Sequence, residues 1–476
     1  MSTVSPPATV PAVAEQPVAP RGLLPVVLTA TFMSALDFFI VNVAIPAVQR
    51  DLHAGASAIQ WVMAGYALAL AGGLITAGRL GDLLGRRRMF SLGLAVFTLA
   101  SAACGLATGP AFLIAARVVQ GLGAALMGPQ VLALLRTGFH GAAQAKAFAS
   151  YALTLGLGAV LGQLIGGVLI RADLFGTDWR ACFLINVPVG LATLVLVPRT
   201  VPESRAPQRP SLDLPGVLLV TAALVTLALP LIQGRASGWP AWTWVSLGGS
   251  AVLWTALARH QVRLAGRGGS PLVHPHLFRT RAFSAGMLAQ LAFWLGQASF
   301  FLVLAIYLQQ GRGLDALGSG TVFTALGAGY LATSLNAHRV AARLGRQAVA
   351  LGAVLMAGGL AALRITVDSG AHSALWLVPA LILDGLGMGL VIAPLTGSAL
   401  AGVPTHLVGS ASGTVATVQQ VGGALGVALI GILFYGAPTV RSGFGTSLLA
   451  LTVLELALAA TVQLLPAARA RRGGSR

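Results

Sequence analysis

The chain has little charge and almost no sulfur. Of its 476 residues only 9% are Asp, Glu, Lys or Arg, cysteine occurs twice (Cys104 and Cys182), and Lys146 is the sole lysine. Charge this sparse cannot cover the surface of a water-soluble domain of such length. The two cysteines lie in or beside apolar runs, so they suggest neither a disulfide framework nor a thiolate metal cage and read as small buried hydrophobes. No G-x-x-x-x-G-K-[ST] phosphate loop occurs: Lys146 sits in "GAAQAKA", without the second glycine and the hydroxyl, and ATP binding is not expected. The net charge of +18 raises nucleic acid as a partner, yet the arginines are scattered between apolar runs and form no basic face interleaved with aromatics. The eight histidines are dispersed too, which argues against a membrane enzyme acting on lipids. "HPH" at His274 to His276, with no Cys or acid nearby, reads as part of an amphipathic loop and no metal is expected.

What the chain has in abundance is apolar surface: 56% hydrophobic residues, a mean hydropathy of +0.84 and 60 glycines. A helix needs about 20 apolar residues to cross a bilayer. Runs between charged or Pro/Gly breaks fall near 23-46, 58-80, 89-108, 110-134, 146-170, 180-198, 214-233, 241-259, 282-308, 317-338, 347-367, 373-396, 411-434 and 445-466, about fourteen spans. The distribution of positive charge tests that count independently. With the N-terminus in the cytoplasm, the inner segments hold 22 Lys and Arg residues, and the outer ones hold seven: Arg50, Arg171, Arg180, Arg235, Arg312, Arg364 and Arg441. Both termini are therefore expected inside a plasma membrane. The Pro- and Ala-rich residues 1-22 read as a disordered cytoplasmic tail that is not cleaved, and 467-476 as a basic one. Inner loops near 199-213 and 260-281 are too short to hold a separate sensor domain.

Internal echoes suggest a duplicated architecture. "QGLGAALMGP" (Gln120 to Pro129) in the fourth span is echoed by "DGLGMGLVIAP" (Asp384 to Pro394) in the twelfth, and "GAVLGQLIGG" in the fifth by "VGGALGVALIG" in the thirteenth. Each pair is eight spans apart, which is six plus an inserted pair. The fold expected is an all-α polytopic membrane protein of two six-helix bundles, 23-200 and 266-466, with helices seven and eight inserted over 201-265.

These segments resemble the major facilitator superfamily, and in particular its fourteen-helix drug:proton antiporter branch. "GRLGDLLGRRR" (Gly78 to Arg88) is similar to the signature loop G-x-L-x-D-x-x-G-R-R-R, and "LDFFIVNVAIP" (Leu36 to Pro46) to the branch's first-helix motif. "QWVMAGYAL", "RVVQGLGAALMGP" and "WRACFLINVPVG" also look like family segments. Three departures stand out: Phe39 where the first-helix motif usually has Thr, Gln163 in place of the proline of the antiporter motif in helix five, and Ala342 where Asp82 would repeat in the second half.

The resemblance implies export of hydrophobic or cationic drug- or antibiotic-like molecules by alternating access, in exchange for protons, by a monomer with no cofactor. Asp37, an acid at hydrocarbon depth, and Arg117, which matches the family's coupling arginine, are the expected proton-coupling pair. Gly78, Asp82, Gly85 and Arg86 are expected to form a conformational latch, with Asp82 meeting guanidinium or a helix N-terminus. Phe38, Gln120, Asp384, Gln420 and Trp294 are the residues expected at the substrate cavity, and Glu455 is a weaker candidate. Gly158, Gly162 and Gly166 make a small-residue stripe for close helix packing. The same fold also serves exporters or importers of endogenous metabolites with another coupling mode, and the residues alone leave that alternative open.

Overall fold

The computed structural model describes residues 22–205, 212–370, 373–401, 403–404 and 407–466, so the expected tails lie, but for Gly22, outside the described residues. Among the described residues the chain is helical throughout. The long helices are α1 (Leu23–Asp51), α2 (Ala56–Leu84), α3 (Arg86–Gly105), α4 (Pro110–Gly138), α5 (Gly141–Ala172), α6 (Asp178–Thr200) and α7 (Leu214–Gln233). They continue as α8 (Ala241–Gly266), α9 (Arg281–Gly311), α10 (Ala316–Ser334), α11 (Arg346–Asp368), α12 (Ala374–Leu400), α13 (Val408–Gly436) and α14 (Val440–Val462). A short amphipathic helix, Ala337–Leu344, sits between α10 and α11.

Twelve of these helices are long and apolar enough to cross a membrane; α8 and α10 are not among the twelve. Two fewer than the expected count qualify, and composition explains both. In α8 the charge-free residues 241–258 are diluted by Trp, Gly, Ser and Thr, and α10 is diluted by Gly, Ser and Thr.

Glycine contacts show how the two halves repeat each other. A Cβ added at Gly162 of α5 would lie 3.1 Å from the Leu36 carbonyl of α1, and one at Gly422 of α13 would lie 3.0 Å from the Leu291 carbonyl of α9. Likewise Gly123 of α4 would meet the Phe97 nitrogen of α3 at 2.6 Å, and Gly387 of α12 the Met356 nitrogen of α11 at 2.8 Å. Gly121 and Gly385 rest in the same way on the Tyr66 and Leu326 carbonyls of α2 and α10. Backbones approach this closely only where no Cβ intervenes. The bundles therefore share one packing scheme, in which Gln120 corresponds to Asp384, Arg117 to Leu381 and Asp37 to Ala292. The loop glycines repeat as well, Gly85 with φ +115° and Gly345 with φ +57°.

The halves meet along α5 and α10, where Gly167 faces the Ala316 carbonyl and Gly320 the Gln163 carbonyl, and along α2 and α13. The α7 helix packs into the second seam: Leu224, Ala228 and Ile232 join Ala64 and Ala67 of α2 and Ala424 and Ala428 of α13 in one apolar cluster. The α8 helix leans on α7 through Ser246 and Ser250, whose hydroxyls donate to the Thr226 and Ala223 carbonyls at 2.8 Å. Large apolar side chains such as Leu99, Val195, Val245 and Leu449 face outward, as a lipid-facing rim requires.

Candidate functional site

The polar centre of the N-terminal bundle is built on Asp37. Its carboxylate is fully buried, and Arg117 Nη1 donates to Oδ2 at 2.6 Å. Two amides reach the other oxygen: Gln120 Nε2 at 2.8 Å and Asn186 Nδ2 at 2.9 Å. Both amides also donate to the Ser101 hydroxyl, at 2.7 and 2.9 Å. Arg117 in turn donates to Gln120 Oε1 at 2.6 Å and to the Val62 carbonyl at 3.2 Å, and its guanidinium lies 4.1 Å from the centre of the Tyr66 ring. Five helices thus converge on one ion pair. A buried pair is held only where further hydrogen bonds satisfy both partners, and this one has them.

Sequence reasoning named Asp37, Arg117 and Gln120 and missed Ser101, Asn186 and Tyr66. "LINVPVG" was visible as a motif, but nothing in it indicated that Asn186 reaches a helix-one acid. Gln120, expected at the substrate cavity, instead joins Asp37 to Ser101: the i, i+3 step from Arg117 points it at the same carboxylate. Cys104 is buried beside it, with Sγ 3.7 Å from Gln120 Oε1.

One turn of aromatics separates this cluster from the seam between the bundles. Phe38 lies against Tyr66 and Phe39, with ring centres 6.1 and 5.1 Å apart, and Phe39 lies 5.3 Å from Phe301 of α9. Phe38, Phe39, Asn42, Met63, Trp294 and Gln297 are among the residues lining a small pocket there. Its free volume of about 10 Å³ holds no more than a water molecule, so the pocket is closed in this conformation. Trp294 Nε1 donates to Gln290 Oε1 at 3.1 Å, and Gln419 Nε2 donates to the same atom at 3.2 Å. The amide that joins the tryptophan is therefore Gln290, which Gln419 reaches from α13, with the expected Gln420 half-buried one position on.

Asp384 is not at this seam, where the sequence had placed it. It is buried inside the C-terminal bundle against α11, because the same glycine register that seats Gln120 in the first half seats Asp384 in the second.

A profile of the Major Facilitator Superfamily matches residues 27–427, most of the chain. The chain belongs to the major facilitator superfamily. Among its relatives in that superfamily are a probable actinorhodin transporter of Streptomyces coelicolor, 42% identical over 87% of this chain and 72% of that one, and a cephamycin export protein of Amycolatopsis lactamdurans, 35% identical over 92% and 91%. A tetracenomycin C resistance and export protein of Streptomyces glaucescens is 36% identical over 86% and 74%. Among solved structures, a POT family transporter in complex with a thioalcohol-conjugated peptide superposes with a TM-score of 0.70 at 15% identity, covering 94% of this chain and 97% of that one. That likeness concerns the fold alone.

The superfamily's signature loop is held by two carboxylates, Asp82 and Glu203. Asp82 pairs with Arg86 at 2.8 Å across the turn made by Gly85. Glu203, just beyond α6, accepts from the Arg87 backbone N–H at 3.1 Å and lies 3.9 and 3.8 Å from the Arg87 and Arg88 guanidinium nitrogens. This places a carboxylate at the N-terminus of α3, where the helix dipole favours it. Gly81 is pressed against the Gln130 side chain, and Gly78 faces Pro129 at 3.6 Å. Glu203 went unnoticed in the sequence, although an acid between two arginine-bearing stretches was the available signal. Arg79, inside the same motif, crosses to the second half, donating to the Ser270 and Pro271 carbonyls.

The α7–α8 pair is tied in at the same end by Asp213. Its carboxylate accepts from the Gly216 N–H at 2.9 Å, from His260 Nε2 at 2.7 Å and from Gln261 Nε2 at 2.8 Å. Burial pushes the Asp213 carboxyl up, but these donors outweigh it and hold it below the usual carboxylate range. At the opposite end the halves are joined by Arg171 to Asp315 at 3.3 Å, Gln309 to the Val43 carbonyl at 2.9 Å and Gln310 to Gln49 at 2.8 Å. The glycine stripe lies between α5 and α1: Cβ atoms at Gly158 and Gly166 would come within 2.6 and 2.7 Å of Ala35 Cβ and Ile40 Cγ1.

Proposed function

We propose that this protein exports hydrophobic, antibiotic-like molecules across the plasma membrane in exchange for protons, by alternating access of its two bundles. The observation that carries this reading is the fully buried Asp37–Arg117 pair one aromatic layer from the pocket at the bundle seam. The printed names of its relatives, which include exporters of cephamycin and tetracenomycin C, support the substrate class. In this reading all fourteen long helices span the membrane. The α8 helix is about 39 Å long and α10 about 28 Å at 1.5 Å per residue, against a hydrocarbon core of about 30 Å. Both termini are cytoplasmic and the working unit is a monomer.

Coupling follows from what each partner of Asp37 can do. While Arg117 holds Oδ2 the carboxylate needs no proton. When the bundles rock and the guanidinium turns toward Gln120 Oε1 and the Val62 carbonyl, which it already touches, Asp37 keeps only the neutral Gln120 and Asn186 donors on Oδ1, with no cation, and takes a proton on Oδ2. Return of Arg117 expels it. Phe38 and Phe39 transmit the seam's movement, since they adjoin Asp37 in the chain and wall the pocket. Ring faces there suit flat or cationic ligands. Asp82 with Arg86, on the Gly78 and Gly85 turn, and Arg79 on the α8–α9 connection latch the inner end. Cells expressing the protein should keep an antibiotic-like fluorescent cation at low internal level; a protonophore or Asp37→Asn should abolish that. Efflux that survives both treatments contradicts the reading.

A further inference from the structure

The C-terminal bundle carries a second buried acidic centre built on different terms from the first. Asp384 of α12 and Glu455 of α14 are each 1% exposed. Neither Asp384 oxygen has a hydrogen-bond partner, nor does Glu455 Oε2. Asp384 and Glu455 stand on different helices, and α9 and α11 pack against both of them. In the first half the same position is Gln120, and its acid is answered by Arg117. In the second half the place of Arg117 belongs to Leu381, fully buried, and the place of Asp37 to Ala292. The second half thus places an acid where the first has Gln120, with no cation at the counterpart of Arg117.

The charges on the surrounding helices are engaged elsewhere. On α11, Arg364 pairs with Asp368 at 2.6 Å, and Arg346 donates to the Gln463 carbonyl at 2.9 Å. On α14, Arg441 donates to the Val367 and Asp368 carbonyls, and on α9 Arg281 is exposed at the helix start. The α10 and α13 helices carry no charged residue. Two ionised carboxylates cannot be held this way in hydrocarbon, with no cation and no donor. The packing also restricts what may neutralise them. A Cβ at Gly359 of α11 would lie 2.9 Å from Asp384 Cβ, and one at Gly296 of α9 would lie 2.9 Å from Glu455 Oε1, so backbone is stacked directly on both acids. On these sides there is no room for an organic cation. A proton needs none.

We propose that Asp384 and Glu455 are each proton-binding groups in the core of the C-terminal bundle, separate from Asp37, whose protons exchange with water as the bundle moves. Occupancy of these groups by protons does not depend on the transport reading given above; only the exchange does.

The test is infrared spectroscopy of the purified full-length protein in lipid, following the C=O stretch of protonated carboxyls at neutral pH. Asp384→Asn and Glu455→Gln, close in shape to the neutral acids, are each expected to remove intensity from that band, while Asp37→Asn, which removes a carboxylate answered by arginine, leaves it unchanged. Transfer to deuterated buffer is expected to shift the band within the time of a transport cycle. A wild-type protein without the band, or variants that leave it intact, overturns the site. A band that Asp384→Asn removes but that never shifts in deuterated buffer overturns the exchange. Because the measurement reads protonation without transport, a failed efflux experiment and a failed proton site are told apart.

Discussion

Replacing Arg117 by leucine gives its site the residue that Leu381 already supplies in the second bundle. The substitution strips the guanidinium from Asp37 Oδ2, 2.6 Å away, and leaves that oxygen buried with no other donor, because Gln120 and Asn186 both bond Oδ1. Removing one partner of a buried pair typically costs about 3–5 kcal/mol. Asp37→Asn leaves the opposite orphan, a buried guanidinium with neutral acceptors and the Tyr66 ring but no counter-charge. In the double variant neither charge remains, so its loss should fall short of the sum of the single losses by about 2–3 kcal/mol, roughly 30- to 140-fold in the unfolding equilibrium. Cys104 and Cys182 are free and buried, which makes a thiol-reactive dye a direct reporter of unfolding during denaturant titration in mild detergent. Losses that add to within about 0.5 kcal/mol, or an Arg117→Leu protein as stable as wild type, would refute the argument.

Three further outcomes are expected. Gly158→Ala puts a methyl 2.6 Å from Ala35 Cβ where carbons rest at about 3.5–4.0 Å, so α1 must retreat by about 1 Å; the expected result is about 1–3 kcal/mol of destabilisation and a large loss of transport, and a variant normal in both contradicts the α1–α5 packing. Gln163 is buried with both amide atoms unpartnered, so Gln163→Leu should raise the denaturation midpoint by removing groups that cost about 1–3 kcal/mol each when left unmade; a lowered midpoint shows that the amide has a partner in the folded protein. Asp213, held below the usual carboxylate range, contributes stability that is complete above that range and disappears as pH falls through its lowered value. Asp213 also accepts from the Leu272 N–H at 3.4 Å, so trypsin should cut at Arg267 faster in Asp213→Asn than in wild type at neutral pH, and the thermal stability of the wild type should approach that of the variant only in strong acid; equal cleavage at neutral pH would show that Asp213 does not hold this loop.

Much of the fold was legible because lipid imposes simple rules. Long apolar runs, arginine asymmetry and the "QGLG" and "DGLG" echoes required only composition and spacing, and the glycine contacts of α4 and α12 repeat where the echoes do. The two helices outside the twelve, α8 and α10, are diluted by glycine, serine and threonine, and α8 also by tryptophan, so the apolar runs read from the sequence there are weaker than the rest. Side-chain direction was harder to read. Gln120 and Asp384 were both assigned to the cavity on shared position; that position does repeat, but it points into each bundle and away from the seam. Ser101 and Asn186 are ordinary polar residues in apolar helices until five helices converge, and no local pattern announces that convergence. Glu203 shows the same limit, since its partners at Arg87 and Arg88 are more than a hundred residues away.

The most direct test of the account is proton movement in sealed vesicles holding the purified protein and an imposed pH gradient, challenged with lipophilic cations and neutral antibiotics. The account predicts that some of these compounds discharge the gradient through the wild type and none through Asp37→Asn. Transport of a compound with no movement of protons, or discharge that persists in Asp37→Asn, would contradict it.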